Sequence, residues 1–217
     1  MPESKIRRYE GTAVVVTWDA ARCIHAAECV HALPDAFDPK AKPWIVPDAA
    51  ATDALVATIG RCPSGALDIE SRDGAAALPI PSRNGATVTA DGPNHLRGDL
   101  ALLAGDGSVA LADTRIALCR CGASKNKPLC DGSHREVGFR DPGTLPASVA
   151  APPEAAAGGR LTIKPIANGP LQCTGPLALV GTDGSTAFAE STFLCRCGQS
   201  HKKPYCDGTH KKIGFTG

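Results

Sequence analysis

Aromatic side chains make up only 4% of the 217 residues, so the large rings that usually dominate core burial are scarce. An excess of charge is also missing. The 23 Lys and Arg against 22 Asp and Glu leave a formal net charge of +1, which argues against a nucleic-acid module held by general phosphate attraction. No run of 18 or more apolar residues occurs, and Met1-Pro2-Glu3-Ser4-Lys5 leads into no hydrophobic segment, so neither a membrane span nor an export signal is expected. There is no Gly-x-Ser-x-Gly elbow, phosphate loop or His-Glu-x-x-His pair, and Gly105-Asp106-Gly107 lacks the third glycine of a dinucleotide fingerprint. The expectation is a cytoplasmic protein that is not an enzyme.

What the chain does have is 23 Gly, 18 Pro and 10 Cys. In a reducing compartment thiols at regular spacing read as metal or cluster ligands rather than disulfides. Self-comparison sharpens this. Cys119-Arg120-Cys121-Gly122, continuing to Pro128-Leu129-Cys130-Asp131-Gly132-Ser133-His134, returns 76 residues later as Cys195-Arg196-Cys197-Gly198 and Pro204-Tyr205-Cys206-Asp207-Gly208-Thr209-His210. Gly92, Gly98 and Asp106-Gly107-Ser108 match Gly169, Gly175 and Asp183-Gly184-Ser185 as well. Each copy is therefore a whole small domain, over 83–140 and 160–217, joined by a Pro/Ala/Gly-rich linker over 141–159. Short apolar stretches at 86–89, 100–103, 109–111, 161–163, 177–180 and 186–188, set between Gly and Asp-Gly turns, read as strands. Asp131 and Asp207 are placed to cap a short helix.

Cys-x-Cys brings two thiolates together, and a turn can bring a third thiolate and an imidazole close by. That donor set suits a two-iron cluster or a Cys₃His zinc ion, although zinc sites more often begin with a longer Cys-x₂₋₄-Cys gap. The full run Cys-x-Cys-x₂-Ser-x₃-Pro-x-Cys-Asp-Gly-Ser/Thr-His resembles the CDGSH iron-sulfur domain, the family of mitoNEET and Miner proteins, and occurs twice without a departure. The resemblance implies a [2Fe-2S] cluster in each copy. Cys119 and Cys121 would hold the inner iron and Cys130 and His134 the outer; Cys195, Cys197, Cys206 and His210 would repeat this. It also implies strand exchange between the copies, here an intramolecular pseudo-dimer in a monomer.

Around these ligands, Ser124, Ser200, Ser133 and Thr209 could donate to cluster sulfur or brace turns, and Pro128 and Pro204 fix the loops. Lys125, Lys127, Lys202, Lys203, Lys211 and Lys212 read as a solvated face or a steering surface for an acidic partner. Cys173, aligned with Leu96, reads as a small buried hydrophobe, and His95 as a turn or surface residue.

Residues 1–75 differ. A strand is expected over 12–17 and a helix from Pro47 to about Gly60. Cys23 and Cys29 keep the first and third positions of a bacterial ferredoxin run whose second and fourth are Ala26 and Leu33, and Cys62-Pro63 matches the remote Cys-Pro. The segment, with Leu33-Pro34-Asp35-Ala36-Phe37 and Pro43-Trp44-Ile45, resembles divergent mono-cluster ferredoxin domains. Cys23, Cys29 and Cys62 then point to one [3Fe-4S] cluster, or to [4Fe-4S] if His25 or an external ligand completes it; His31 reads as exposed. The fold class expected is α+β: a small ferredoxin-like domain followed by two β-rich CDGSH units. Its function is read as electron transfer, with a cluster carrier or redox/pH sensor and a structural zinc protein as alternatives. The partner is then a redox protein or an apo-acceptor.

Overall fold

The computed structural model describes residues 6–74, 78–146 and 158–217. The chain divides into an N-terminal compact unit ending at Pro79 and a C-terminal one over Ile80–Gly217.

The N-terminal unit is a three-stranded antiparallel sheet in the order β1 (Ile6–Glu10), β2 (Val14–Asp19), β3 (Leu67–Ser71). Its centre is the β-branched run Val14-Val15-Val16-Thr17, which suits a pleated surface. Val14 and Val16 join Ile69, Leu55, Ile59, Phe37 and Ile45 in one buried cluster. The β1–β2 turn is tight against its surroundings, since a Cβ on Gly11 would sit 2.8 Å from Pro47 Cβ. The expected strand over 12–17 begins two residues later. The expected helix is divided into a 3-10 turn over Pro47–Ala49 and the helix α2 (Thr52–Gly60), because Ala50 and Ala51 are extended. A further short helix, α1 (Glu28–Ala32), follows Cys23 and carries Cys29.

The C-terminal unit holds β4 (Gly85–Val88), β5 (Asn94–Leu103) and β6 (Val109–Leu118), then β7 (Leu161–Pro165), β8 (Leu171–Val180), β9 (Thr186–Leu194) and α3 (Thr209–Lys212). Within each repeat the three strands run antiparallel. Between repeats, β4 pairs parallel with β8 and β5 parallel with β7. The four pairings among β4, β5, β7 and β8 therefore close a ring.

Gly98 and Gly175 make this possible. The ladders shift register between Arg97 and Leu100 and between Thr174 and Leu177, so the two ends of β5 and β8 face different partners. At these bends a Cβ on Gly98 would lie 2.0 Å from Asn84 Oδ1, and one on Gly175 2.4 Å from Arg160 O; only glycine permits the approach. Asn84, buried, spans the repeats. Its Nδ2 donates to Gly159 O at 2.6 Å and Pro176 O at 3.0 Å, and its Oδ1 accepts from the Asp99 N–H at 2.9 Å. Leu96, Leu100, Leu102, Ile116, Leu161, Ile163, Leu177 and Leu179 form one core drawn from both repeats, so apolar burial at the centre is aliphatic.

The start of the expected linker is tied down. Asp141 and Asp91 exchange backbone and side-chain bonds, and Thr182 N–H donates to Gly143 O at 3.1 Å. The remainder, 147–157, lies outside the described residues.

Candidate metal centres

Each repeat ends its sheet in the same loop. Cys119 N–H donates to Pro128 O at 2.9 Å and Cys130 N–H to Ala117 O at 2.8 Å, which returns the loop to the strand it left. Cys195 and Cys206 do likewise with Pro204 O at 2.7 Å and Phe193 O at 2.8 Å. The loop interior is closed by its own polar groups. Ser124 Oγ donates to Leu129 O and Ser200 Oγ to Tyr205 O, both at 2.6 Å. These serines brace the turn rather than reach toward sulfur, and Ser133 Oγ bonds Asp131 at 2.7 Å.

The eight expected ligands fall into four pairs. Cys119 Sγ lies 3.6 Å from Cys121 Sγ, and Cys130 Sγ 3.5 Å from His134 Nδ1. In the second repeat the distances are 3.7 Å for Cys195 and Cys197 and 3.3 Å for Cys206 and His210 Nδ1. Both imidazoles thus turn Nδ1 toward the cysteine. Backbone N–H groups of Ala123, Gly132 and Gly208 point at Cys121, Cys130 and Cys206 sulfur, each at 3.4 Å; such bonds stabilise the thiolate form a metal requires. Among the described residues no three His, Cys, Asp or Glu side chains converge as a single ion would need. Two ligand pairs per repeat fit two metal atoms better than one.

The bond between the paired thiols raises Cys119 and lowers Cys121 to about 7. Burial pushes Cys130 and Cys197 up to about 11. Metal-free sites therefore hold most of these thiols protonated at neutral pH, and loading them releases protons.

The two loops meet. A Cβ on Gly122 would lie 2.8 Å from Cys197 O, and one on Gly198 2.7 Å from Cys121 O, with φ of +80° and +81°. A crevice of about 500 Å³ opens there, lined by Cys121, Cys197, Phe139 and Lys203 among others.

The arginine inside each Cys-x-Cys was not singled out in the sequence, although its recurrence in both copies was the available signal. Arg120, 2% exposed, donates to Gly92 O at 2.8 Å and pairs with Asp141 Oδ1 at 2.7 Å. Its guanidinium also lies 5.4 Å from the Phe139 ring. Arg196 donates to Gly169 O at 3.0 Å and to Ile166 O and Gly217 O at 2.8 Å, and stacks on Phe215.

Other expectations are met or corrected. Cys173 is fully buried and pushed up to about 12 by burial. His95 is not a surface residue: it lies on β5, its Nε2 is buried with no hydrogen-bond partner among the described residues, and burial lowers it to about 4. Asp207 does not cap α3, whose N-cap is Gly208 at φ +86°; its carboxylate accepts the N–H groups of His201 and Thr209 instead, which hold it well below the usual range. After Asp131 no helix forms. Lys127 Nζ and Lys203 Nζ are committed to Ser124 O at 2.8 Å and Ser200 O at 2.6 Å, while Lys125, Lys202, Lys211 and Lys212 are exposed.

In the N-terminal unit, Cys23, Cys29 and Cys62 line one cavity of about 720 Å³ together with His25, Ala26, Ser64, Trp18 and Trp44. Burial pushes the Cys29 thiol up to about 11, with Cys62 and Cys23 adding to the effect. The loop folds back through His25 at φ +53° and Ala27 at φ +61°. Arg22, unnoticed in the sequence, fastens it by donating to Ser64 O at 2.7 Å. Trp18 and Trp44 meet edge to face at 5.0 Å along the wall. His25 and His31 are both exposed, and only His25 lines the cavity. Three sulfurs on one cavity fit a single cluster.

The family described as "Divergent 4Fe-4S mono-cluster" matches residues 9–72, and the family described as "Iron-binding zinc finger CDGSH type" matches 91–135 and again 168–211. Two curated proteins, each called "Uncharacterized protein YjdI", from Escherichia coli K12 and O157:H7, are 41% identical to this chain over 61 residues, which is 28% of this chain and 80% of each relative. No solved structure matches. The chain, with both cysteine-histidine loops and the three-cysteine cavity in the matched segments, belongs to the CDGSH iron-binding family as a tandem member carrying a divergent 4Fe-4S mono-cluster domain on its N-terminal side.

Proposed function

We propose that the protein is a soluble, cytoplasmic electron-transfer protein holding two [2Fe-2S] clusters, each by three cysteines and one histidine, and a third cluster on Cys23, Cys29 and Cys62. The observation that carries this reading is the division of each CDGSH ligand set into two pairs 3.3–3.7 Å across. A mononuclear zinc site would draw all four donors to one point. Cys119 and Cys121 would hold one iron and Cys130 and His134 the other; Cys195, Cys197, Cys206 and His210 repeat the arrangement. Clusters so held supply one-electron chemistry at a potential raised by imidazole above the all-thiolate case.

The three-cysteine cavity suits a [3Fe-4S] cluster, with [4Fe-4S] as the alternative where a fourth ligand completes it. The repeats act as an intramolecular pseudo-dimer in a monomeric chain. The parallel β4–β8 and β5–β7 pairings and the mutual packing of Gly122 on Cys197 and Gly198 on Cys121 support this. That packing also brings the inner ligands of the two sites together, favouring electron exchange between them. The partner is a redox protein or an apo-acceptor rather than nucleic acid or membrane; among the described residues no helix is long and apolar enough to cross a membrane. No catalysis on a substrate is assigned.

Iron and acid-labile sulfide per chain, with electron paramagnetic resonance of anaerobically purified protein, test the reading. About seven irons with reducible [2Fe-2S] signals and an oxidised [3Fe-4S] signal are expected. Colourless protein with about three zinc ions would overturn it.

A further inference from the structure

Both tryptophans of the chain stand on the wall of the three-cysteine cavity. Trp18 is fixed by the sheet, its place on β2 paired with Arg7 on β1 and with Leu67 on β3. Trp44 is fixed by a loop that closes on itself. Asp38 N–H donates to Trp44 O and Val46 N–H to Ala36 O, both at 2.9 Å, around a bridge between Phe37 and Ile45. The two indoles brace each other, edge to face at 5.0 Å and 77°, and Trp44 also packs on Tyr9 at 6.2 Å and 80°.

Their nitrogens are less well provided for than their rings. Each side chain is half-buried, yet each Nε1 is enclosed with no hydrogen-bond partner among the described residues. An indole N–H is a donor only. When buried it ordinarily finds an acceptor, and an unmade bond there costs about 1–3 kcal/mol. Two such donors on one wall, on rings held rigidly against each other, mark the place of an acceptor that the protein itself does not supply.

The rest of the lining says what that acceptor is. Beside the indoles stand Pro43, Ala66 and Leu67, whose side chains offer water no partner. The same space is lined by Cys23, Cys29 and Cys62, and Ser64 Oγ, on a side chain 3% exposed, already stands 3.7 Å from Cys62 Sγ. Inorganic sulfide complements a donor-only group, since it carries lone pairs and negative charge and no proton. The Arg7 guanidinium, 5.5 Å from the centre of the Trp18 ring and also in the lining, adds a positive charge where an anionic group would sit.

We infer that Trp18 and Trp44 donate their Nε1–H groups to the sulfides of the cluster on Cys23, Cys29 and Cys62 and so hold its reduction potential up. This rests on the third cluster proposed above. Reduction brings one electron from the redox partner onto the cluster. Both indole protons stay on nitrogen, and their bonds to sulfur strengthen with the added negative charge, which favours the reduced form.

The test uses the full-length holoprotein, anaerobic, with ¹⁵N at the indole nitrogen of both tryptophans. With the N-terminal cluster poised in its paramagnetic state, pulsed electron paramagnetic resonance should show ¹⁵N coupled to it, and Cys29→Ala should remove cluster signal and coupling together. Trp18→Phe and Trp44→Phe should each remove part of the coupling and make reduction about threefold less favourable. The double variant should make it about tenfold less favourable, about 59 mV lower for one electron. The potentials of the two CDGSH clusters, read in the same titrations, should not move. Because the label is read in the unaltered protein, a variant that fails to hold its cluster does not blur the outcome. A cluster signal without ¹⁵N coupling, or a potential that the double substitution leaves in place, overturns the inference and hands the two donors to water or an organic ligand. Wild-type protein with no N-terminal cluster signal, matching Cys29→Ala, overturns the reading beneath the inference and the inference with it.

Discussion

The two CDGSH repeats carry the same ligands on the same loop, yet one outer pair is covered and the other is half open. The comparison separates what a motif fixes from what its context fixes. Hydrogen bonds inside the loop, donated by Ser124 and Ser200 Oγ and accepted by the Asp131 and Asp207 carboxylates, accompany pair spacings that differ between the repeats by no more than 0.2 Å. Accessibility is set by residues outside the motif, chiefly Asp141 and the segment it anchors. A duplicated motif can therefore diverge in exposure with no change in its cysteines and histidine.

The strongest way to break the comparison is through its arginines. Arg120→Ala removes the nearer cation from the buried Asp141 carboxylate and should cost about 3 kcal/mol, the lower end for a broken buried pair, because Lys203 Nζ remains 3.7 Å from it. Arg196→Ala strands the Gly169 and Ile166 carbonyls, and about 1–2 kcal/mol is expected. Denaturant unfolding of the two holo variants measures the difference; equal losses would show that the ion pair does not distinguish the sites.

Next come the glycines that join the loops. Gly122→Ala and Gly198→Ala each place a Cβ within 2.7–2.8 Å of the other repeat's cysteine carbonyl at a left-handed φ. A loss of about 2–4 kcal/mol is expected for each from strain and overpacking together. Since each glycine abuts the opposite cysteine, either substitution should disturb the spectra of both clusters. Perturbation of one cluster only would argue that the loops are independent.

The repeat, and the grouping of the eight CDGSH cysteines and histidines and of the three N-terminal cysteines, were legible because metal sites need fixed residue types at short spacing, and short spacing is what a sequence displays. The strand segments were legible in part: the stretches at 100–103 and 109–111 are only portions of β5 and β6, whose remainders contain Asn94, His95, Asp113 and Arg115. Those polar residues lie on strands because β5 and β6 pair along almost their whole length, from Asn94 opposite Leu118 to Leu103 opposite Val109, which no local pattern announces. The parallel pairing of β4 with β8 was equally hidden, since contacts across some 90 residues depend on the bends at Gly98 and Gly175. The ion pair of Arg120 with Asp141 was hidden for the same reason, Asp141 reading as the start of a linker.

His95 gives the finest probe of the comparison, because the second repeat has Gln172 at the matching place. Its imidazole is held neutral by burial, with its ordinary value lowered to about 4 and Arg97 and His134 adding to the effect. An imidazole depressed in the folded state contributes nothing to pH dependence above its unfolded value near 6.5, where both states are neutral. As the pH falls from 6.5 toward 4, the unfolded chain takes up a proton that the folded chain refuses, so stability declines across that window. At 1.36 kcal/mol per pH unit the loss approaches about 2 kcal/mol by pH 5. His95→Gln should remove that component while leaving stability near pH 8 within about 1 kcal/mol, a swap the other repeat already tolerates. Chemical unfolding of metal-free protein at pH 8, 6 and 5 reads it directly, keeping cluster loss out of the measurement. A wild-type profile that the substitution leaves unchanged would mean that the buried Nε2 meets water in solution, and that the two repeats differ at their outer faces but not beneath them.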